Sequence, residues 1–114
     1  MTIINSVLIA NRGEIAIRIS KTLNEMGIKA YGIYSKDDSS SAHLSYCSEV
    51  FELNGTGPSA YLNIDEIISL AKSKKIKAVH PGYGFLSENH AFAASCAKND
   101  IIFIGPNEKT LKNF

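Results

Sequence analysis

The stretch AVHPGYGFLSEN, residues 78–89, determines how the rest of the sequence is interpreted. A short apolar run ends at a histidine, the following proline ends the strand that the run predicts, and a helical pattern begins after the turn. Gly82 and Gly84 flank Tyr83, so its ring and the nearby backbone amides stay accessible. Such a strand-to-helix turn predicts side chains at the carboxyl edge of a sheet, where ligands bind in open α/β sheets.

A second turn of this kind follows the apolar run at residues 7–10, which has the length and composition of a strand buried on both faces. Asn11, Arg12 and Gly13 break the run, and Glu14 opens the helix that follows, where the helix dipole favours an anion. With one glycine and an acidic residue, this turn departs from the G-x-G-x-x-G pattern of dinucleotide sites. Arg12 and Glu14 either fix the loop or meet another domain, or they form only a surface pair.

Strands and helices alternate along the whole chain. Further strands are predicted at 29–34, 49–53, 76–80 and 101–104. Helices are predicted at 14–26, at 63–74, from Asn89 or Ser87 through 97, and from 108 onward, with a short helix through 46 or 47. Connections of this length require crossovers, which predicts a mostly parallel sheet covered on both faces. We expect an α/β fold: one doubly wound, Rossmann-like domain of about five strands over residues 1–114.

Side-chain patterns refine two of these helices. In the first helix, the apolar stripe is predicted to contain Ile15, Ile19, Leu23 and Met26, with Gly27 closing the helix. Arg18, Lys21 and Glu25 lie on another stripe of the same helix. At the start of the helix predicted at 63–74, Asn63 followed by Glu66 resembles a capping box.

Composition narrows the class of protein. The net charge is +1 over 114 residues, which predicts binding to neither nucleic acid nor a membrane surface. No apolar run approaches the roughly 20 residues of a membrane helix, and no targeting segment is evident. Cys47 and Cys96 lack metal-ligand spacing and indicate a reducing compartment. We expect a cytoplasmic protein, or one of the mitochondrial matrix if a transit peptide has been removed.

Candidate chemistry is concentrated in the turn after the fourth strand. The Tyr83 ring either meets a planar ligand or packs into a tight turn. His80 is either a general base or the partner in a structural hydrogen bond, and Glu88 is either an acid or a carboxylate in a helix first turn. His43 is expected at the surface or half-buried. No metal site is predicted, because the histidines and cysteines have no ligand spacing.

Four motifs together resemble the N-terminal domain of biotin carboxylase. They are VLIANRGEIAIRI (7–19), YLNI (61–64), AVHPGYGFLSEN (78–89) and IFIGP (102–106), in the order and spacing of that family. The resemblance implies a Rossmann-like pre-ATP-grasp domain of a larger enzyme, which uses MgATP and bicarbonate to carboxylate biotin on a carrier protein. The family's catalytic, ATP-binding and magnesium-binding residues lie downstream. The resemblance therefore implies an excised domain, without catalytic residues and inactive by itself.

The resemblance also implies roles for particular residues. Tyr83 matches the tyrosine beside the biotin ring, with Gly84 next to it. The resemblance implies a shaping role for the other residues of the two turns, which hold the turns in place without contacting biotin. They are Asn11, Arg12, Gly13, Glu14, His80, Pro81, Gly82 and Glu88. The dimer face of the family corresponds to Arg18, Lys21 and Glu25. Lys21 stands where the family commonly has arginine, and lysine cannot form a bidentate fork, which places that contact in doubt.

Partners and alternatives follow from the same resemblance. Expected partners are a biotin carboxyl carrier protein or domain, a carboxyltransferase component and a second copy in a homodimer. The acceptor stays open among acetyl-CoA, propionyl-CoA, methylcrotonyl-CoA, pyruvate and urea. The main alternative is a free-standing docking domain that uses the face of Arg18, Lys21 and Glu25 and has no catalytic role. A nucleotide-binding Rossmann domain is a further alternative.

Overall fold

The computed structural model describes residues 4–105, and these residues contain a sheet of five strands and three α-helices. The elements are β1 (Ser6–Ile9), α1 (Gly13–Glu25), β2 (Lys29–Tyr34), β3 (Glu49–Glu52), α2 (Ile64–Ser73), β4 (Ala78–His80), α3 (His90–Lys98) and β5 (Ile102–Phe103). The predicted α/β fold with about five strands is confirmed. The helix predicted from 108 onward, and Pro106 of the last motif, lie outside the described residues. None of the helices in the described part has the length and apolar character needed to cross a membrane.

The sheet is parallel throughout and has the strand order β3-β2-β1-β4-β5. From β1 the chain moves outward through β2 to β3, and it then returns to the other side of β1 to form β4 and β5. The strand order therefore reverses between β1 and β4, where Leu8 pairs with Val79 and Ile9 with His80. Loops that follow these two strands leave the same edge, and that edge at such a reversal is where α/β proteins bind ligands.

Alternate residues of β1 enter two different cores. Leu8 belongs to a cluster that includes Ile67 of α2 and Phe92 of α3. Val7 belongs to a second cluster, which includes Leu23 of α1. Two helices therefore cover one face of the sheet and α1 covers the other, as a doubly wound arrangement requires.

The buried line of α1 differs from the predicted stripe. Leu23 is buried as expected, but Met26 is 65% exposed and Ile15 and Ile19 are only half-buried. The prediction for Met26 is wrong, and the positions at the sheet are taken by Ala16 and Ser20, which are fully buried. Because these side chains are small, the helix can pack closely on the sheet. The Ser20 hydroxyl donates a hydrogen bond to the Ala16 carbonyl, which satisfies its buried polar group.

The connection from β2 to β3 contains two short 3₁₀ segments, Lys36–Asp38 and Ala42–Tyr46, in place of the predicted short helix. His43 lies in the second segment and is fully buried, so the prediction of a surface or half-buried position is wrong. Its Nε2 lies 3.0 Å from the carbonyl oxygen of Ile33 and donates a hydrogen bond to it, which makes burial of the ring possible. Among the described residues, His43 Nδ1 is a buried polar atom without a hydrogen-bond partner.

Helix ends follow the predicted signals with one exception. Gly27 has φ +74° just beyond α1, the left-handed conformation of a glycine that closes a helix. Asn89 caps α3 by accepting from Phe92 N, and Asn63 caps α2 by accepting from Glu66 N. Only half of the predicted capping box forms, because the Glu66 carboxylate accepts from Asn54 N at 2.8 Å instead.

Candidate functional site

The turn after β1 and the turn after β4 are joined by the side chain of Asn11. Its Nδ2 donates hydrogen bonds to the carbonyl oxygens of Pro81 and Tyr83, both at 2.7 Å. Its Oδ1 accepts from the backbone N–H of Arg12 at 2.8 Å, and the residue is 1% exposed. The structure therefore brings the two predicted turns together at the point where the strand order reverses.

The turn after β4 has an unusual backbone. Gly82 and Gly84 have φ +66° and +68°, which glycine adopts readily. Phe85 follows with φ +47°, an uncommon conformation for a bulky side chain. Its ring centroid lies 5.3 Å from that of the buried Tyr61, so packing holds Phe85 in place. The chain thus fixes a backbone that presents Tyr83 away from the core.

Tyr83 is 75% exposed, which is more than any other large hydrophobic residue in the described part of the chain. The alternative in which this ring packs into a tight turn is therefore wrong for the described residues. Gly84 has open space around it: a Cβ built there would meet nothing within 4 Å. A planar ligand could approach the ring here without displacing protein atoms.

His80 is half-buried at the end of β4. Its Nδ1 accepts a hydrogen bond from the backbone N–H of Gly82 at 3.1 Å. The pKa of His80 is lowered because burial disfavours the charged ring. The hydrogen bond favours the shaping role, because it occupies the ring nitrogen that could accept a proton. Pro81 is buried beside His80. Glu88 is exposed and precedes Asn89, the cap of α3, so the prediction of a carboxylate in the first turn of that helix is wrong.

Arg12 forms a bidentate pair with Asp38, which lies just beyond β2. Arg12 Nε lies 2.5 Å from Asp38 Oδ2 and Arg12 Nη2 lies 2.8 Å from Oδ1. The Tyr61 hydroxyl donates to Asp38 Oδ2 at 3.0 Å and accepts from Ser35 N at 3.1 Å. The Arg12 guanidinium lowers the pKa of Asp38 to about 2. Arg12 therefore fixes its loop, while Glu14 is exposed and is not its partner.

Sequence reasoning missed Asp38 and Tyr61 as members of this region. Sequence patterns assign no role to Asp38, and Tyr61 is singled out only within the YLNI motif (61–64). The signal for Asp38 was its position: it follows β2, whose carboxyl end lies beside that of β1. A carboxylate after a neighbouring parallel strand is within reach of an arginine after β1.

An apolar groove with a volume of about 890 Å³ runs beside α1 and ends at the Tyr83 turn. Its walls are mainly aliphatic, and His80, Gly82 and Tyr83 lie at one end. The aliphatic residues are Ile4, Val7, Ile15, Ile19, Leu23, Met26, Ile28 and Ile104. The groove is open because this face of the sheet carries a single α-helix among the described residues.

The predicted dimer face lies on the outside of α1. Arg18, Lys21 and Glu25 are all exposed. Arg18 also lines the groove, whereas Lys21 Nζ lies 5.3 Å from the centre of the Tyr46 ring. In residues 4–105 no group of three or more His, Cys, Asp or Glu side chains is arranged to hold a metal ion.

Comparison with known proteins gives a consistent result. A family model described as "Biotin carboxylase, N-terminal domain" matches residues 3–111. Pyruvate carboxylase of Bacillus subtilis (strain 168) is 49% identical over 114 residues, which are 97% of this chain and 10% of that protein. The mitochondrial methylcrotonoyl-CoA carboxylase subunit alpha of Mus musculus is 46% identical over 112 residues, which are 96% of this chain and 16% of that protein.

Solved structures agree with these relatives. The biotin carboxylase domain dimer of Hydrogenobacter thermophilus 2-oxoglutarate carboxylase, in complex with MgADP, ADP and bicarbonate, is similar with a TM-score of 0.94 and 38% identity. That match covers 98% of this chain and 25% of the solved chain. The biotin carboxylase subunit of a pyruvate carboxylase gives a TM-score of 0.93 and 42% identity, over 96% of this chain and 24% of the other.

Proposed function

Since the chain belongs to the family of biotin carboxylase N-terminal domains, we propose that it forms one wall of the biotin site in a larger biotin-dependent carboxylase. The chain spans 10% and 16% of the two relatives described above, and 25% of the solved biotin carboxylase domain. The proposed enzyme uses MgATP and bicarbonate to carboxylate a ureido nitrogen of biotin. Residues 1–114 are its N-terminal domain and contribute no catalytic residue.

The exposed Tyr83 ring is the observation that carries this proposal. It stands at the carboxyl edge of the sheet, beside the reversal of strand order, where α/β proteins bind ligands. The ureido ring of biotin is planar, so its face can pack against an aromatic ring. Gly84 leaves open space beside the ring, which gives the ligand room. Tyr83 and Gly84 are the proposed biotin-facing residues.

The other residues of the two turns support Tyr83 without touching the ligand. His80 accepts from Gly82 N, Asn11 holds the carbonyl groups of the turn, and Arg12 is occupied by Asp38. When biotin is bound, it supplies the ureido nitrogen that accepts the carboxyl group. The residues of this chain orient the rings and exclude water from one side of them.

The described residues fit ATP and magnesium less well than they fit biotin. The turn after β1 has one glycine, an arginine committed to Asp38 and the exposed Glu14, which would repel a phosphate. No metal-ligand cluster is present among residues 4–105. We therefore propose that ATP and Mg²⁺ are held mainly by parts of the enzyme beyond this segment.

The proposed partners are a biotin carboxyl carrier protein or domain, a carboxyltransferase component and a second copy of the enzyme. The homodimer contact is proposed on the face of Arg18, Lys21 and Glu25, which is exposed on α1. Lys21 provides a single point charge there, which is a weaker contact than an arginine fork. The proposed location is the cytoplasm.

The test is an ATP-cleavage assay with the purified enzyme that carries this domain. We expect ADP formation that requires bicarbonate and rises with added free biotin, and no such activity from residues 1–114 alone. A free-standing docking domain predicts that no ADP formation depends on biotin. That outcome would contradict the proposal.

A further inference from the structure

We infer that Asn11 is the positioning residue of the Tyr83 turn and that it acts as a double hydrogen-bond donor. This inference rests on the proposed role of Tyr83 toward biotin. Asn11 does not face the open side of the site, because it is 1% exposed and lies beneath the turn. Its influence on a ligand therefore passes through the backbone of residues 81–83.

The orientation of the Asn11 amide is fixed by its surroundings. Nδ2 lies 2.7 Å from each of two carbonyl oxygens, and Oδ1 lies 2.8 Å from the N–H of Arg12. A flipped amide would place its oxygen between two other oxygens and its N–H₂ group against an N–H donor. Only the assigned orientation satisfies all these groups. The chemistry required at this position is therefore two N–H donors.

The direction of the Tyr83 ring depends on the hydrogen bond from Asn11 Nδ2 to the Tyr83 carbonyl, because little else restrains the ring. Tyr83 is 75% exposed, and within residues 4–105 no hydrogen bond is found for its hydroxyl. Its direction is therefore set by the backbone at residues 82–84, where both glycines have positive φ. Asn11 holds the carbonyl of Tyr83 itself, and the Gly82 N–H is held by His80. Loss of the Asn11 donors frees the carbonyl end of the turn.

Asn11→Asp is the variant that tests the inference. It keeps the size of the side chain but replaces both donors with an oxygen that faces two carbonyl oxygens. We expect the KM for free biotin in the full enzyme to rise by about tenfold, the equivalent of one well-made hydrogen bond. The KM for ATP should change by less than about twofold. A KM reports on the folded molecules, whereas a loss of folded protein lowers only the apparent kcat.

Asn63→Asp is the matched control. It makes the same chemical change at an asparagine that uses its oxygen, as an acceptor from Glu66 N, so the helix cap survives. We expect its KM for biotin to equal that of the parent enzyme. Should Asn11→Asp fail to fold, Asn11→Ser, which keeps one hydroxyl donor, provides the measurement, and the same selective rise in KM for biotin is expected.

Tyr83→Ala in the same enzyme separates the two hypotheses. If Tyr83→Ala raises the KM for biotin and both Asn11 variants leave it unchanged, the positioning role is overturned while the proposed function stands. If Tyr83→Ala also has no effect, the role of Tyr83 fails and the inference about Asn11 fails with it. A rise in both the Asn11 and the Tyr83 variants, with the KM for ATP unchanged, supports the inference.

Discussion

Asn11 and Gly82 lie so close together that a Cβ on Gly82 would be 2.7 Å from Asn11 Nδ2. The same Cβ would also lie 2.7 Å from Ile15 Cγ2. Real Cβ atoms do not approach other heavy atoms so closely, so the hydrogen-bonded contact between the two turns requires glycine. The sequence motif around Tyr83 thus has a packing reason in addition to a conformational one.

Gly82→Ala should destabilise the chain more than Gly84→Ala does. Both glycines have nearly the same positive φ, +66° and +68°. An alanine at either position must adopt the left-handed conformation, which costs about 1 kcal/mol of stability. Only Gly82 adds a steric clash, worth about 1–3 kcal/mol more. Urea unfolding of residues 1–114 with each substitution measures the difference. Equal losses of unfolding free energy in the two variants would contradict this prediction, because they would show that the turns move apart to accommodate the new Cβ at little energetic cost.

Asp38→Asn should reduce stability at neutral pH and have a smaller effect in acid. The folded-state pKa of Asp38 is about 2, below its ordinary value of 3.8, because the side chain of Arg12 donates hydrogen bonds to it. The stabilisation is present above pH 3.8 and is lost as the pH falls toward 2. Because the pair is partly exposed, we expect a loss of about 1 kcal/mol near pH 7.

Unfolding curves for Asp38→Asn and the parent chain from neutral pH to about pH 2 provide the measurement. Glu52→Gln, a substitution at an exposed carboxylate at the end of β3, is the control. The difference in unfolding free energy between Asp38→Asn and the parent chain should shrink as the pH falls. A difference that stays constant across this range would contradict the ion-pair interpretation, because it would not depend on the charge of Asp38.

The two cysteines should differ in reactivity. Burial raises the pKa of Cys96 to about 11 and also raises the pKa of the half-buried Cys47. Because the thiolate is the reactive form, iodoacetamide near pH 8 should modify Cys47 slowly and Cys96 far more slowly in the folded chain. Mass spectrometry of the peptides measures both rates, and Cys47→Ser should remove most of the labelling. Equal rates in the folded chain, as expected in urea, would contradict the burial of Cys96.

Local sequence patterns were sufficient to predict most of the fold. Buried apolar runs marked the strands, and β2 has the predicted bounds, Lys29–Tyr34. The predicted strand at 76–80 is observed only as Ala78–His80, because ladder pairing with β1 begins at Val7. Glycine and asparagine signals correctly predicted the end of α1 and the start of α3. These features depend on neighbouring residues, which a sequence displays directly.

Features that depend on distant residues were not predictable. The pairing of Arg12 with Asp38 joins residues 26 positions apart, and the bond from Asn11 to Tyr83 joins residues 72 apart. Both require the strand order, which periodicity does not supply. Burial of His43 depends on a single backbone carbonyl, that of Ile33, being available to it. The rotation of α1 that buries Ala16 depends on how closely the helix packs on the sheet.

The central claim is that the Tyr83 ring faces biotin, and steady-state kinetics of Tyr83→Ala in the full enzyme test it most directly. We expect the KM for free biotin to rise by about tenfold, equivalent to an aromatic contact of about 1.4 kcal/mol, with the KM for ATP unchanged. Tyr83→Phe keeps the ring and should behave like the parent enzyme. An unchanged KM for biotin in Tyr83→Ala would contradict the account.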